Sequence, residues 1–260
     1  MSFFDAERFE RLRKERGVTW GRPVRVHEHC TSTNDLALAA VLSEAKTGIV
    51  FLARKQSQGR GRRGNTWIAP AGECLMFSLL LRYPKDGAHL GGLSLAVGLA
   101  LHDTVAPLLN SSHRVSIKWP NDLYVDDKKL AGVLVESKPD AQGHWGVVIG
   151  VGLNLKTRHF PAELPNATSL ALLGADIECL EQLLVDALSY LEARIKQLLT
   201  HHVPSIARDV RALDFLNGRS LLVEGEQLQG AGIDDEGQLL VRDAEGQLRT
   251  VRAAHIELTE

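Results

Sequence analysis

Apolar residues recur along the chain in two rhythms, one near 3.6 residues and one of 2 or less, and these two rhythms lay out the elements. Residues 3–16 set Phe3, Phe4, Phe9 and Leu12 among Glu7, Arg8, Glu10, Arg11, Arg13 and Lys14, which predicts a short surface helix ended by Gly17. Val24–His29 alternates like a strand and puts His27 and His29 on one face. Leu36–Leu42 reads as a helix, and the short apolar run Ile49–Ala53 as a buried strand. A second buried strand is expected over Cys74–Arg82, and an apolar helix over Gly91–Leu109. Ser116–Trp119 is a strand stopped by Pro120, and Leu123–Val125 with Lys128–Glu136 makes a hairpin turned by Asp126 and Asp127. Trp145–Leu155 is one more buried strand, with glycines where another backbone or a ligand approaches closely.

A long amphipathic helix is predicted over Ile177–Leu199, because Leu180, Leu183, Leu184, Ala187, Leu188, Leu191, Ile195 and Leu198 form one stripe. From about Phe215 the texture changes to short strands over 219–223, 227–233, 238–241 and 248–251. Turns at Glu224-Gly225, Glu236-Gly237 and Glu245-Gly246 give the spacing of a small β-barrel, so a boundary falls near residue 213.

Composition adds bounds. With 260 residues the chain can bury one full core and a small satellite domain. A formal net charge of −2 gives no global case for nucleic-acid binding. Cys30, Cys74 and Cys179 are widely spaced and never form C-x-x-C, which argues against a disulfide framework or zinc knuckle and fits a reducing, cytoplasmic setting. His27, His29 and Cys30 lack a third ligand at telling spacing, so no metal site is assigned. No apolar run reaches the roughly 20 residues of a membrane-spanning helix, and the start lacks signal-peptide regions.

The most unusual stretch is Lys55–Trp67, where Gly59-Arg60-Gly61-Arg62-Arg63-Gly64 packs three glycines and three arginines into six positions. Glycines there let the backbone turn tightly and bring N–H groups toward an anion, and guanidinium groups clamp phosphate or carboxylate. The spacing satisfies G-x-G-x-x-G, but Pro70 and its small neighbours predict continued loop in place of the helix that a dinucleotide fold requires. No P-loop motif is present. The stretch reads as a flexible anion-binding loop that closes on its ligand. Ahead of it, Ser32-Thr33-Asn34-Asp35 has the form of a helix cap, with Ser32 and Asp35 a candidate capping box. A helix N-terminus with hydroxyls and an amide also cradles small polar groups, and the two roles can coexist.

Three further motifs follow in order: Lys118-Trp119-Pro120-Asn121-Asp122, Lys129-Leu130-Ala131-Gly132-Val133-Leu134-Val135-Glu136 and Gly150-Val151-Gly152-Leu153-Asn154. Together with Ser32-Thr33-Asn34 and the glycine–arginine loop they resemble the biotin protein ligases, from about Val26 to the C-terminus. The resemblance implies an α+β fold: a mixed β-sheet with helices packed on it over 26–213, after an N-terminal extension at 1–25, and an SH3-like β-barrel over 214–260. It implies ATP and biotin as substrates with Mg²⁺, biotinyl-5'-AMP as intermediate, and transfer to a lysine of a biotin carboxyl carrier protein. Ser32, Thr33, Asn34 and Gln56 would hold biotin. Gly59, Arg60, Gly61, Arg62 and Arg63 would form the loop over biotin and phosphates, with Trp67 flanking the adenine and Asn154 near the nucleotide. Lys129 would bridge the biotin carboxylate and α-phosphate, beside Gly132, while Lys118, Asn121 and Asp122 would line the nucleotide and acceptor side. Lys129, Arg60, Arg62 and Asp122 are the expected catalytic set, with Asp122 helping the incoming lysine amine.

Some residues of these motifs also have a plainer reading. Trp119 and Pro120 suit packing, Lys118 an exposed strand charge, and Asn121 with Asp122 the turn after Pro120. The chemistry needs no enzyme nucleophile, which fits a sequence without a G-x-S-x-G elbow. About 25 residues precede the matched region, so the expectation is a short form without an N-terminal DNA-binding domain. The C-terminus, Ile256 to Glu260, lacks the arginine often found there in the family. The alternatives are a lipoate or octanoate ligase relative and a non-catalytic adenylate-binding regulator. A homodimer stays open, because a sheet edge can pair or be covered.

Overall fold

The computed structural model describes residues 3–43, 45–83 and 91–258. The first helix, α1 (Ala6–Glu15), is capped by the Asp5 side chain and closed at Gly17, whose φ is +74°. There follow β1 (Val24–His27), α2 (Thr33–Val41), β2 (Ile49–Ala53), β3 (Cys74–Tyr83) and α3 (Leu93–Val105). Next come β4 (Val115–Lys118), β5 (Asp122–Val125), β6 (Lys128–Pro139), β7 (Trp145–Asn154) and α4 (Leu180–Arg211). The chain ends with β8 (Ser220–Val223), β9 (Glu226–Ile233), β10 (Leu239–Arg242), β11 (Leu248–Val251) and β12 (Ile256–Leu258).

The first seven strands form one mixed sheet in the order β1-β2-β3-β7-β6-β5-β4, parallel only between β1 and β2. Strand alternation divides its two faces. Val50, Leu52, Phe77, Leu79, Ile149 and Val151 point into the large core, where α3 and α4 also bury Leu99, Leu101, Leu184 and Leu188. Ile49, Phe51, Leu80 and Val148 point the other way and meet Ala37, Ala40 and Val41 of α2 in a smaller cluster. Met76, Ser78, Gly132, Leu134, Glu136, Gly150 and Gly152 share this second face by register. That face carries the site.

Three expectations are revised. The helix predicted over Ile177–Leu199 starts at Leu180 and continues to Arg211 across a break at His202, whose φ is +59°. Pro204 lies just past the break, and proline is well tolerated in a helical first turn, so a second helical segment resumes where the apolar stripe ends. The capping box forms by half: Ser32 Oγ accepts from the Asn34 N–H at 3.3 Å, while the Asp35 carboxylate is drawn away to Arg60. A fifth C-terminal strand, β12, pairs with β8, so the C-terminal unit is an antiparallel sheet ordered β11-β10-β9-β8-β12. Thr259 and Glu260, at the end where the arginine is lacking, lie outside the described residues.

The C-terminal sheet is fastened to the large one. Backbone bonds Ile117 N–H to Leu213 O and Phe215 N–H to Ile117 O lay the linker on the outer edge of β4, and Trp119 Nε1 donates to Gly237 O at 2.9 Å. Trp119 is buried, in accord with its packing role, and also lines the site with Pro120. Among the described residues no helix is long and apolar enough to cross a membrane.

Candidate active site

One cleft on the α2 face of the sheet gathers nearly all the predicted residues. Ser32, Thr33, Asn34, Gln56, Arg60, Gly61, Arg62, Arg63, Trp67, Lys118, Asn121, Asp122, Lys129 and Gly132 all line it. Gly59 and Asn154 do not. Gly59 stands behind the loop, where an added Cβ would lie 2.2 Å from Trp67 O. Asn154 is buried, donating from Nδ2 to Thr168 O at 2.9 Å and accepting from Cys74 Sγ. Its amide ties β7 to the following loop.

At one end, the start of α2 forms a small polar cradle. Thr33 N–H donates to Gln56 Oε1 at 2.7 Å, and Ser78 Oγ lies 2.7 Å from Thr33 Oγ1. The Asn34 amide extends across Gly150, where a Cβ would lie 2.1 Å from Asn34 Oδ1. Only glycine leaves room for that amide.

The glycine–arginine loop folds back over the cleft as a tight hairpin with a single 3₁₀ turn at Arg62–Gly64. Gly61, Asn65 and Trp67 N–H groups bond within the loop at 2.7–3.0 Å. Those three donors are therefore committed, and the side chains, not these N–H groups, supply the positive charge. Each arginine reaches a different element: Arg60 joins Asp35 of α2 and Glu136 of β6, Arg62 donates to Asn121 Oδ1 at 3.0 Å, and Arg63 pairs with Glu224 in the β8–β9 turn at 2.9 Å. Hydrogen bonding to Asp35, foremost, raises the pKa of Arg60 further.

At the other end, Lys129 Nζ lies 2.7 Å from Asp122 Oδ2 and 5.9 Å from the Trp67 ring centroid. The Trp67 ring lies against β7, where a Cβ on Gly152 would come within 2.4 Å of Trp67 Cε2, and Trp67 Nε1 is buried with no partner among the described residues. Lys118 Nζ sits 5.4 Å from the Tyr124 ring centroid, and burial lowers its pKa. Burial likewise lowers that of Arg62. Among the described residues neither Arg62 nor Lys118 has a carboxylate within ion-pair distance, and Asp122 is the sole acid in the cleft lining. The cleft thus pairs an uncharged polar cradle with a cationic end suited to phosphates or a carboxylate.

Several lining residues were not singled out from the sequence. Ala254, His255 and Ile256 come from the C-terminal sheet, whose last strand carried no turn signal or long apolar run. Ser78 and Glu136 make contacts within the site, but one sits in an apolar run and the other at the end of a motif, so local pattern gave no sign of either.

Residues 26–154 match the profile of the Biotin/lipoate A/B protein ligase family. A biotin–(acetyl-CoA-carboxylase) ligase of Mycobacterium tuberculosis is 37% identical over 249 residues, covering 92% of this chain and 90% of that protein. The bifunctional ligase/repressor BirA of Escherichia coli is 33% identical over 216 residues; the match covers 81% of this chain but only 66% of BirA. In fold the chain resembles the biotin protein ligase from Aquifex aeolicus solved with biotin and ATP, with a TM-score of 0.78 at 24% identity over 92% of this chain and 99% of that one. With the motifs in order and a relative matched over nearly its whole length, the chain belongs to the biotin/lipoate A/B protein ligase family.

Proposed function

We propose that this protein is an ATP-dependent ligase that activates biotin as biotinyl-5'-AMP and transfers the biotinyl group to a lysine of a biotin carboxyl carrier protein. The observation that carries the reading is the two-ended cleft: a neutral cradle at Thr33 and Asn34 and a cationic end at Arg62, Lys118 and Lys129, roofed by one loop. Biotin has the matching polarity, with a neutral ureido ring and a carboxylate at opposite ends.

In the first half-reaction a biotin carboxylate oxygen attacks the α-phosphorus, the bond to the bridging oxygen breaks, and pyrophosphate leaves. Lys129 and Arg62 hold the two anionic reactants together and offset charge on the phosphorus oxygens. Trp67 flanks the nucleotide base with its ring. In the second half-reaction the acceptor amine attacks the acyl carbon, the acyl–oxygen bond breaks, and AMP leaves. Asp122 takes the proton that the amine loses. Arg60 and Arg63 hold the loop down through their carboxylate partners.

Among the described residues no three His, Cys, Asp or Glu side chains are grouped to hold a metal. Mg²⁺ commonly binds through substrate phosphates and water with only one or two carboxylates, so a cleft whose lining has one acid, itself paired with Lys129, fits Mg²⁺ that the nucleotide's phosphates would hold. When bound, it neutralises phosphate charge. The division into 1–25, 26–213 and 214–260 remains our organisation of the chain, supported by the change from the large sheet to the small one after α4.

The test is ATP–pyrophosphate exchange with Mg²⁺, comparing biotin, lipoate and octanoate as the stimulating acid. Exchange with biotin alone supports the reading. Exchange driven by lipoate or octanoate instead moves the chain to the acyl-ligase relatives, and none with any acid leaves a binding regulator.

A further inference from the structure

A chain of hydrogen bonds runs from the carboxylate of Glu136 to the hydroxyl of Thr33, and chemistry fixes the direction of its bonds as far as Ser78. Asn34 Nδ2 lies 2.9 Å from Glu136 Oε2 and 3.4 Å from Leu134 O. Both partners only accept, so the amide cannot be reversed: Nδ2 faces Glu136 and Oδ1 faces inward. Oδ1 in turn can only accept, and Ser78 Oγ is its donor at 2.5 Å. The Ser78 proton is thereby committed to Asn34. Ser78 Oγ is left to accept, and Thr33 Oγ1 lies 2.7 Å from it. Among the described residues its other hydrogen-bonding neighbour is Gln56 Oε1, at 3.2 Å, an oxygen already turned toward Thr33 by the Thr33 N–H. Either way the Thr33 proton stays inside the protein. What Thr33 shows the cleft is a lone pair.

The sheet is built to keep this arrangement. Ser78 is fully buried in the middle of β3. Gly150 makes room for the Asn34 amide, and Arg60 holds the far oxygen of Glu136. A chain that starts on a carboxylate and passes through successive donors also polarises each link in the same sense, which strengthens the terminal acceptor.

We propose that Glu136 and Ser78 are positioning residues that fix the polarity of the cradle, so that Thr33 meets its ligand as an acceptor selective for an N–H donor. The inference rests on the biotin reading above, in which that donor is a ureido nitrogen. A site built this way rejects a ligand that brings an acceptor to the same place, because two lone pairs then face each other with no proton between them.

The probes are biotin and the two cyclic carbamate analogues in which one or the other ureido N–H is replaced by oxygen, a change of donor to acceptor at nearly constant shape. Affinities are measured by titration calorimetry with wild-type protein, Ser78→Ala and Glu136→Gln, alongside thermal unfolding of each. Wild type should prefer biotin to one carbamate by roughly a hundredfold. In Ser78→Ala the Thr33 proton keeps only its longer contact, to Gln56 Oε1, and turns into the cleft more readily, so that preference should fall by about tenfold. Glu136→Gln should lower it in the same direction, because a glutamine can donate to Asn34 and let the whole chain reverse. A merely structural role would lower stability and weaken all three ligands alike. Preference unchanged in the folded variants, or absent in wild type, overturns the inference. Should Ser78→Ala not fold, Glu136→Gln decides alone. No binding of biotin to wild type sinks the biotin reading itself, a result distinct from biotin binding with unaltered preference.

Discussion

Lys129 Nζ stands 2.7 Å from Asp122 Oδ2, so the one acid among the described residues of the cleft lining is paired with one of its central cations. Neighbouring strands bring them together diagonally: Asp122 of β5 stands opposite Gly132 and Lys129 of β6 opposite Tyr124, on either side of the irregularity between Leu123 and Tyr124. A substrate carboxylate or phosphate that draws Lys129 away would leave the Asp122 carboxylate free of its partner. The two residues should then separate by half-reaction. Lys129→Ala should lower biotin-dependent ATP–pyrophosphate exchange by about 10²–10³-fold, the usual range for removing a charge-stabilising donor. Asp122→Asn should keep most of that exchange and slow transfer from preformed adenylate to the carrier protein. Equal rates of transfer in wild type and Asp122→Asn would remove Asp122 from the second step.

Arg62 offers a different kind of test, because its guanidinium reaches Asn121 and no carboxylate among the described residues. Its charge is available to a phosphate, and its bond to Asn121 closes the loop. Arg62→Gly should speed dissociation of the adenylate by roughly tenfold, besides lowering the pyrophosphate exchange in which Arg62 shares charge stabilisation with Lys129. Asn121→Ala should move dissociation in the same direction by less, since the charge remains. Unchanged lifetime of the intermediate in Arg62→Gly would refute loop closure as its function.

The strands and the loop motif were legible because their signals are local. Buried runs such as Ile49–Ala53 and Cys74–Tyr83 announce themselves within a few residues, and three glycines with three arginines need no partner to be noticed. What escaped depends on residues far apart. Asp35 looked like half of a capping box until Arg60, 25 positions away, claimed it. Glu136 belongs to the cradle only because β6 brings it beside Asn34, 102 residues earlier. Asn154 carries a motif's last letter, yet its amide is spent on Thr168. The helical segment beyond His202 was hidden by Pro204, which reads as a breaker in sequence and sits just past the break in space.

Glycines on β7 make a prediction about fit. At Gly152 a methyl group would come within 2.4 Å of Trp67 Cε2, whereas at Gly132 on the paired strand the nearest ring atom is 3.2 Å away. Trp67 lies on a surface loop, so its ring can move outward where a core side chain would not. Gly152→Ala should therefore cost less stability than the roughly 1–3 kcal/mol of an overpacked core, while raising the KM for ATP by about tenfold. Gly132→Ala should do much less to either. Denaturant melts beside nucleotide titrations separate the two effects, and a KM for ATP unchanged by Gly152→Ala would take Trp67 out of the nucleotide site.

The contact between Arg63 and Glu224 makes the C-terminal sheet a participant in loop closure, and it carries its own pH signature. The Glu224 carboxylate accepts the His255 backbone N–H at 2.8 Å and the Arg63 guanidinium at 2.9 Å. These two contacts, the backbone N–H first, hold its pKa below the ordinary carboxylate range. A carboxylate with a depressed pKa in the folded state stabilises that state above its unfolded pKa, and the contribution disappears as pH falls through the folded value. At neutral pH the latch is therefore fully made, and both partners are exposed, so salt weakens it. Glu224→Gln should release the adenylate faster than wild type at neutral pH and low salt. The two proteins should converge as the solution is acidified below the usual carboxylate range, and also as salt is raised. Arg63→Ala should give the same acceleration, and the double variant no more than either single one, because one contact is being removed each time. Additive effects of the two substitutions would mean that Arg63 and Glu224 act on the loop separately.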